Sequence, residues 1–180
     1  MNRNLILEAA RLTEFSALYA SRYMGKGDDE LCYNSADTAM WKLLETLDIE
    51  GEIVIGAANR ELNLSDGKKA GTGQGPATDI AAKPLEGKRT CATGGHNAIS
   101  VVALGGKGAF MKVPPSLMHK IAVGPEAKGV IDINEPPHIN IKRVARAKQK
   151  YIEDLTVCVL ERDINMPLVE EIRETGARIR

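Results

Sequence analysis

The chain has 180 residues, of which 43% are apolar and 27% are charged, and this composition excludes disordered and collagen-like classes. Its 24 Lys and Arg residues balance 24 Asp and Glu residues, so net charge favours neither nucleic acid nor an anionic membrane as a partner. Charged residues interrupt every apolar run, so we expect no signal peptide or membrane span, and a cytoplasmic protein.

The three cysteines indicate reduced thiols. Cys32, Cys91 and Cys158 are odd in number, far apart and in no C-x-x-C pair. This spacing fits a reducing compartment better than a disulfide framework or a zinc site.

Two helices are predicted in the first fifty residues. Across residues 4–23 the apolar positions recur at a helical period, and the segment ends at Gly25. In residues 35–47 they recur at i, i+4, i+7, i+8 and i+11, and Ser35 is placed to cap the start.

Several short β-strands follow. EIVIG and TDIAA are β-rich runs separated by a polar loop, and TDIAA runs into the charged turn KPLEGKR. Residues 97–113 predict a hairpin of two strands joined across the glycines at 105, 106 and 108. HKIAVG predicts a further strand.

The last part of the chain predicts a basic helix and then a βαβ unit. The helix covers residues 138–149, after a double proline. DLTVCVL, MPLVEEIRETG and ARIR then predict strand, helix and strand, with Pro167 in the first helical turn. We therefore predict an α/β protein of mixed α+β layers, with one domain at 1–150 and a truncated βαβ start of a second at 151–180.

Many of these segments, taken in order, resemble the bacterial class II fructose-1,6-bisphosphatases. They are RLTEFSAL, GKGD, EIVIG, GTGQG, PLEG, NAISVVAL, MHKIAVGPEAKGVIDI, DLTVCVLER and EEIRETGARIR. The resemblance implies a sugar-phosphatase fold of the fructose-1,6-bisphosphatase and inositol monophosphatase kind. It also implies hydrolysis of the 1-phosphate of fructose 1,6-bisphosphate with Mg²⁺ or Mn²⁺. Family members are about twice as long, so the matching part is their N-terminal half and the first unit of their second domain.

Two of the family's metal-binding motifs are substituted in this chain. Where the resemblance implies an Ala-Asp pair whose Asp binds metal, the chain has Cys32 and Tyr33. Where it implies Glu-Gly-Glu after the I-G strand end, Ala57 and Asn59 replace the two glutamates. Hard divalent cations prefer anionic oxygen ligands, which these residues do not supply.

The third motif, Asp-Pro-x-Glu-Gly-Thr, is only partly retained. Glu86 keeps its acid and is the candidate metal ligand, whereas Lys83 replaces the Asp and Lys88 replaces the water-activating Thr. Replacing Asp by Lys83 makes the local charge two units more positive. The resulting repulsion of a divalent cation is on the order of several kcal/mol at an effective dielectric constant near 20. We therefore expect no catalytic residue and no bound metal cofactor in this chain.

The substrate-binding positions show the same pattern. Leu117 stands where the family has a phosphate-binding Tyr, and Arg162 retains the first cation of a Lys/Arg-Pro-Arg-His loop. Lys83, Lys88, Arg89 and Arg162 are therefore the candidates for binding a sugar phosphate.

Three hypotheses remain open. The chain is an inactive structural or docking homologue that forms homo-oligomers or associates with a full-length homologue, which is the expectation we favour. Alternatively, it binds a sugar phosphate such as fructose 1,6-bisphosphate without metal. In the third hypothesis it stays a phosphatase, with a metal site rebuilt from Asp37, Glu61, Asp79 and Glu86 or completed by a partner chain.

Overall fold

The computed structural model describes residues 3–112, 118–160 and 162–180. The chain forms two compact units, Met1–Pro115 and Ser116–Arg180. The described helices include none that is both long enough and apolar enough to cross a membrane.

The first unit begins with two packed helices, α1 (Arg3–Ser21) and α2 (Asp29–Leu44). The predicted start of α2 at Ser35 was wrong. The side chain of Asp28 caps the helix by accepting a hydrogen bond from Leu31 N at 2.8 Å, so the helix begins about two turns earlier. Ser35 lies inside α2, where its hydroxyl donates to a carbonyl of α1.

A four-stranded sheet follows, in the order β2-β1-β3-β4. Its strands are β1 (Glu50–Ile55), β2 (Lys69–Ala70), β3 (Ala77–Glu86) and β4 (Ile99–Gly106). β1 runs parallel to β3, and β3 pairs with β4 in the antiparallel sense. The mixed helices and mixed sheet confirm the predicted α/β fold class.

β3 extends into the segment that was predicted to be a turn. The strand continues through Pro84 to Glu86, and its register with β4 shifts between Lys83 and Glu86. Proline has no N–H to donate to the ladder, which accounts for an irregularity at this point. Gly87, at φ 83°, then reverses the chain into the short helix α3 (Lys88–Ala92).

The predicted hairpin is confirmed only in its first strand. β4 covers residues 99–106, and Gly108 N donates to the Asp79 carboxylate at 2.7 Å, which closes the turn. Residues 109–112 do not form the second predicted strand, and residues 113–117 lie outside the described part. The predicted strand HKIAVG is also absent from the described residues.

The core of the first unit lies between the helices and one face of the sheet. Ser16 is fully buried there, and its hydroxyl lies 3.0 Å from Ala36 O and 2.9 Å from Pro84 O, which links α1 to α2 and β3. The largest cluster contains Leu12, Met40, Leu44, Ile49, Ile53, Leu64 and Ile80. A second cluster contains Ala20, Cys32, Tyr33, Ala36, Leu85, Cys91 and Ala92.

The second unit contains the helix α4 (Pro137–Ala147) and the predicted βαβ unit. That unit is formed by β5 (Thr156–Val157), α5 (Met166–Glu174) and β6 (Arg178–Ile179), with β5 and β6 parallel. β5 is much shorter than the apolar run DLTVCVL predicts.

α4 packs with the βαβ unit. Ile141 and Ala145 of α4 share one core cluster with Leu155 and Ile172. These contacts place α4 and the βαβ unit together in the second compact unit. The domain boundary near residue 150 stays a prediction.

Candidate functional site

Glu86, the acid that the chain retains from the third motif, lies beside Lys83, which stands where that motif has an Asp. Lys83 and Glu86 are both exposed at the end of β3, and Lys83 Nζ is 3.8 Å from Glu86 Oε2. The same ammonium group lies 5.4 Å from the centroid of the Tyr33 ring on α2. The carboxylate of Glu86 therefore already has a cationic neighbour from its own chain.

Tyr33 stands at a position where the family has a metal-binding aspartate. Its side chain is almost entirely buried against the second core cluster. Burial raises the pKa of the Tyr33 hydroxyl, and the negative charges of Asp37, Glu86 and Glu30 raise it further. The phenol is therefore neutral at physiological pH and supplies no anionic oxygen.

Lys88 and Arg89 open α3 directly after Gly87. The ammonium group of Lys88 contacts the Glu30 carboxylate on α2. Arg89 is exposed, and within the described part of the chain it has no ion pair. Only one of the three cations predicted for this turn is thus uncompensated by a carboxylate.

Asp37 has a structural role that the sequence did not reveal. Its carboxylate is 1% exposed and accepts hydrogen bonds from Asn63 N, Asn63 Nδ2 and Leu64 N at 2.9, 2.8 and 3.0 Å. These bonds fix the loop after β1 onto α2. The position of an Asp among the apolar residues of α2 was the only signal for this role.

Beside Asp37 lies an open polar cavity of about 440 Å³. Its lining includes Glu30, Asn34, Thr38, Asn59, Glu61 and Asn63. Glu61 is exposed at this cavity, and its backbone N–H donates to Asn59 Oδ1 at 3.0 Å.

The structure does not bring Asp37, Glu61, Asp79 and Glu86 together into the rebuilt metal site of the third hypothesis. Asp37 is buried and accepts three hydrogen bonds from the loop after β1, and Asp79, which is 7% exposed, accepts from Gly108 N. In residues 3–112, 118–160 and 162–180, no group of three or more His, Cys, Asp or Glu side chains could hold a metal ion. The residues present therefore do not fit the Mg²⁺ or Mn²⁺ that the resemblance implies.

Cys32 and Cys91 are buried, and each thiol donates a hydrogen bond to a backbone carbonyl. Cys32 Sγ donates to Tyr23 O at 3.5 Å and Cys91 Sγ donates to Ala20 O at 3.8 Å. Burial, followed by the neighbouring Cys91 thiol, raises the pKa of Cys32 to about 11. The Cys32 thiol is therefore not an activated nucleophile.

Arg162 belongs to the second unit. It is exposed, and its carbonyl accepts a hydrogen bond from Asn165 N at 2.8 Å in the short turn before α5. Leu117, which stands at the family's tyrosine position, lies outside the described residues.

Comparison with known proteins decides the family. The sequence model for bacterial fructose-1,6-bisphosphatase, glpX-encoded, matches residues 3–180. The chain belongs to the bacterial class II fructose-1,6-bisphosphatase family. This confirms the resemblance that the motifs indicated.

Individual relatives agree with this assignment. Fructose-1,6-bisphosphatase 1 class 2 of Escherichia coli strain K12 is 40% identical over 99% of the chain and 54% of its own length. The class 2 enzyme of Shigella flexneri gives the same values, and that of Haemophilus influenzae is 39% identical over the same shares. The chain therefore spans about half the length of these curated class II fructose-1,6-bisphosphatases.

Proposed function

We propose that this chain is a catalytically inactive member of the class II fructose-1,6-bisphosphatase family and that it acts as a structural or docking subunit. The observation that carries the proposal is the contact of Lys83 Nζ with Glu86 Oε2 at 3.8 Å. A cation of the chain lies next to the one acid that the third motif retains.

Electrostatics explains why this arrangement disfavours metal. Two unit charges 4 Å apart interact by about 1 kcal/mol in water and by about 4 kcal/mol at an effective dielectric constant of 20. A divalent ion on Glu86 would face twice that repulsion from Lys83. The neutral Tyr33 contributes no compensating charge, and Asp37 has its oxygens occupied by Asn63 and Leu64.

The docking role is supported by apolar side chains that the first unit leaves exposed. Ile99 and Val101 alternate on β4 with residues that face the core, and they are 53% and 47% exposed. β4 is also an edge of the described sheet. We propose that the chain associates with a second copy of itself or with a full-length member of the family.

The direct test is phosphate release from fructose 1,6-bisphosphate by the full chain, with Mn²⁺, with Mg²⁺ and with EDTA. The class 2 enzyme of Escherichia coli serves as the positive control. We expect no release above background from this chain in any condition. Release that scales with protein concentration and disappears in EDTA would contradict the proposal.

The docking role has its own test. Light scattering measures the mass of the chain alone and when mixed with a full-length family member. We expect a mass above that of a monomer in at least one sample. A monomer in both samples would contradict the docking role and leave the absence of catalysis unaffected.

A second candidate function is metal-free binding of a sugar phosphate by Lys83, Lys88, Arg89 and Arg162. Arg89 at the start of α3 favours it, because this side chain is exposed and makes no ion pair with the residues that the structure describes. The carboxylate contacts of Lys83 and Lys88 weaken it. A thermal shift with fructose 1,6-bisphosphate in EDTA, lost in Arg89→Ala and retained in the control Arg60→Ala, would support it. We expect no shift.

A further inference from the structure

The second unit contains an open cavity of about 420 Å³, and the residues that line it lie outside the family segments quoted above. It lies at the C-terminal end of α4 and the residues that follow. Ala145 and Ile152 form its apolar part, and Lys142, Arg146, Lys150, Tyr151 and Glu153 form the rest of its lining.

The lining carries an excess of positive charge. Lys142 and Arg146 are four residues apart on α4, so they lie on the same face of the helix and repel each other. Lys150 adds a third cation, and Glu153 is the one acid in the lining. An anion between the three cations would relieve this repulsion.

Other cations on and next to α4 are used differently. Arg143 pairs with Glu135 at 3.1 Å, and Lys148 pairs with Glu126 at 3.5 Å. In the described part of the unit, no ion pair involves Lys142, Arg146 or Lys150. Arg143 and Lys148 thus have carboxylate partners, whereas Lys142 and Arg146 have none within the described part of the unit. Lys150 makes no ion pair there, although it lies near enough to Glu126 to interact with its charge.

A conformation that is uncommon for its residue type shapes one side of the cavity. Gln149 has φ 53°, in the left-handed region that favours glycine. This turn lets Lys150 N donate to Ala145 O at 3.0 Å, which brings Lys150 back to the end of α4. A left-handed residue followed by this backbone hydrogen bond is a common way for a helix to end, and here it places Lys150 beside the last turn of α4.

The aromatic ring next in the chain is open to solvent. Tyr151 is 79% exposed although it lines the cavity. An exposed ring beside the three cations of the lining suits a ligand that has both an anionic group and an organic body.

We propose that this cavity binds a small phosphate ester. Arg146 donates to the phosphoryl oxygens through its planar fork, Lys142 and Lys150 supply further charge-assisted hydrogen bonds, and Tyr151 covers the organic part. The inference is independent of the proposed lack of catalysis, because none of these residues belongs to the motif at the end of β3.

The test is calorimetric titration of the full chain in EDTA with three probes: inorganic phosphate, a hexose monophosphate and a nucleoside monophosphate. We expect at least one ester to bind more tightly than inorganic phosphate, with an affinity that falls as salt rises. Arg146→Gln and Lys150→Gln should each weaken that binding about tenfold, and Tyr151→Ala should reduce the preference for the ester over inorganic phosphate.

The matched control is Lys128→Gln, which removes an exposed lysine outside the cavity of the same unit. It should bind the ester as the unaltered chain does. Three results would overturn the proposal: no binding of either ester at millimolar concentration, unchanged affinity in both cavity variants, or equal affinity for inorganic phosphate and the esters. Tighter binding to single-stranded RNA than to either ester would also overturn it, in favour of a nucleic-acid surface.

Discussion

Two groups of acidic side chains in the first unit have opposite roles. Asp37 and Asp79 are buried, and their carboxylates accept hydrogen bonds from backbone N–H groups of loops. Glu86 is exposed at the end of β3, and its close polar neighbour is the ammonium group of Lys83. This chain keeps acids that hold its loops together, whereas positions 33, 57, 59 and 83, where the family motifs have carboxylates, carry Tyr, Ala, Asn and Lys.

The largest expected effect is the loss of the Asp37 carboxylate. Asp37→Ala removes three hydrogen bonds to the loop after β1 and leaves its buried N–H groups without an acceptor. We expect the free energy of unfolding to fall by about 3 kcal/mol or more, measured by urea denaturation. The control Glu61→Ala, at an exposed acid of the same loop, should change it by less than about 0.5 kcal/mol. Equal effects would contradict the structural role of Asp37.

The hydroxyl of Ser16 tests whether α1, α2 and β3 form one unit of packing. Ser16→Ala leaves the buried carbonyls of Ala36 and Pro84 without this donor, so we expect a loss of about 2 kcal/mol in urea denaturation. Ser21→Ala is the matched control, because Ser21 is exposed and its hydroxyl donates within its own helix. A loss below about 0.5 kcal/mol for Ser16→Ala would show that the junction does not depend on this hydroxyl.

The pH dependence of stability gives a smaller effect with a defined direction. The pKa of Cys32 is raised from 9.0 to about 11, so the unfolded chain loses this proton first as pH rises. The stabilisation is complete below pH 9 and declines toward pH 11, and the raised pKa of Tyr33 acts in the same direction. Urea denaturation across this range should show a weaker decline for Cys32→Ala than for Cys158→Ala, whose thiol is exposed. Identical declines would contradict the assignment.

The smallest expected effect on stability comes from the exposed motif. Lys83→Asp removes an exposed ion pair, so the free energy of unfolding should change by less than about 1 kcal/mol. Phosphatase activity should not return, because Tyr33, Ala57 and Asn59 still lack the carboxylates of the other motifs. Metal-dependent phosphate release by this single variant would show that Lys83 alone blocks the site.

The family and most of the helices could be predicted because those signals are local. The apolar spacing of residues 4–23 and the PLEG motif are properties of short segments, and helix α1 and the family were confirmed. The start of α2 was missed because Ser35 and Asp28 are both good caps, and the apolar spacing that begins at Ala36 favoured the wrong one.

The roles of Asp37 and Tyr33 could not be predicted because they depend on contacts between distant segments. The Asp37 carboxylate accepts hydrogen bonds from Asn63 and Leu64, which lie 26 and 27 positions further along the chain. The ring of Tyr33 meets Lys83 only because α2 packs beside the end of β3. A motif comparison shows that ligands have changed, whereas the structure shows what their replacements contact.

We propose that the ammonium group of Lys83 takes the place of a metal ion beside Glu86. Calorimetric titration of the full chain with Mn²⁺, compared with Glu86→Gln, tests it most directly. The account predicts no saturable heat for either protein, at concentrations that load the class 2 enzyme of Escherichia coli. A saturable Mn²⁺ site in the unaltered chain that Glu86→Gln abolishes would contradict it.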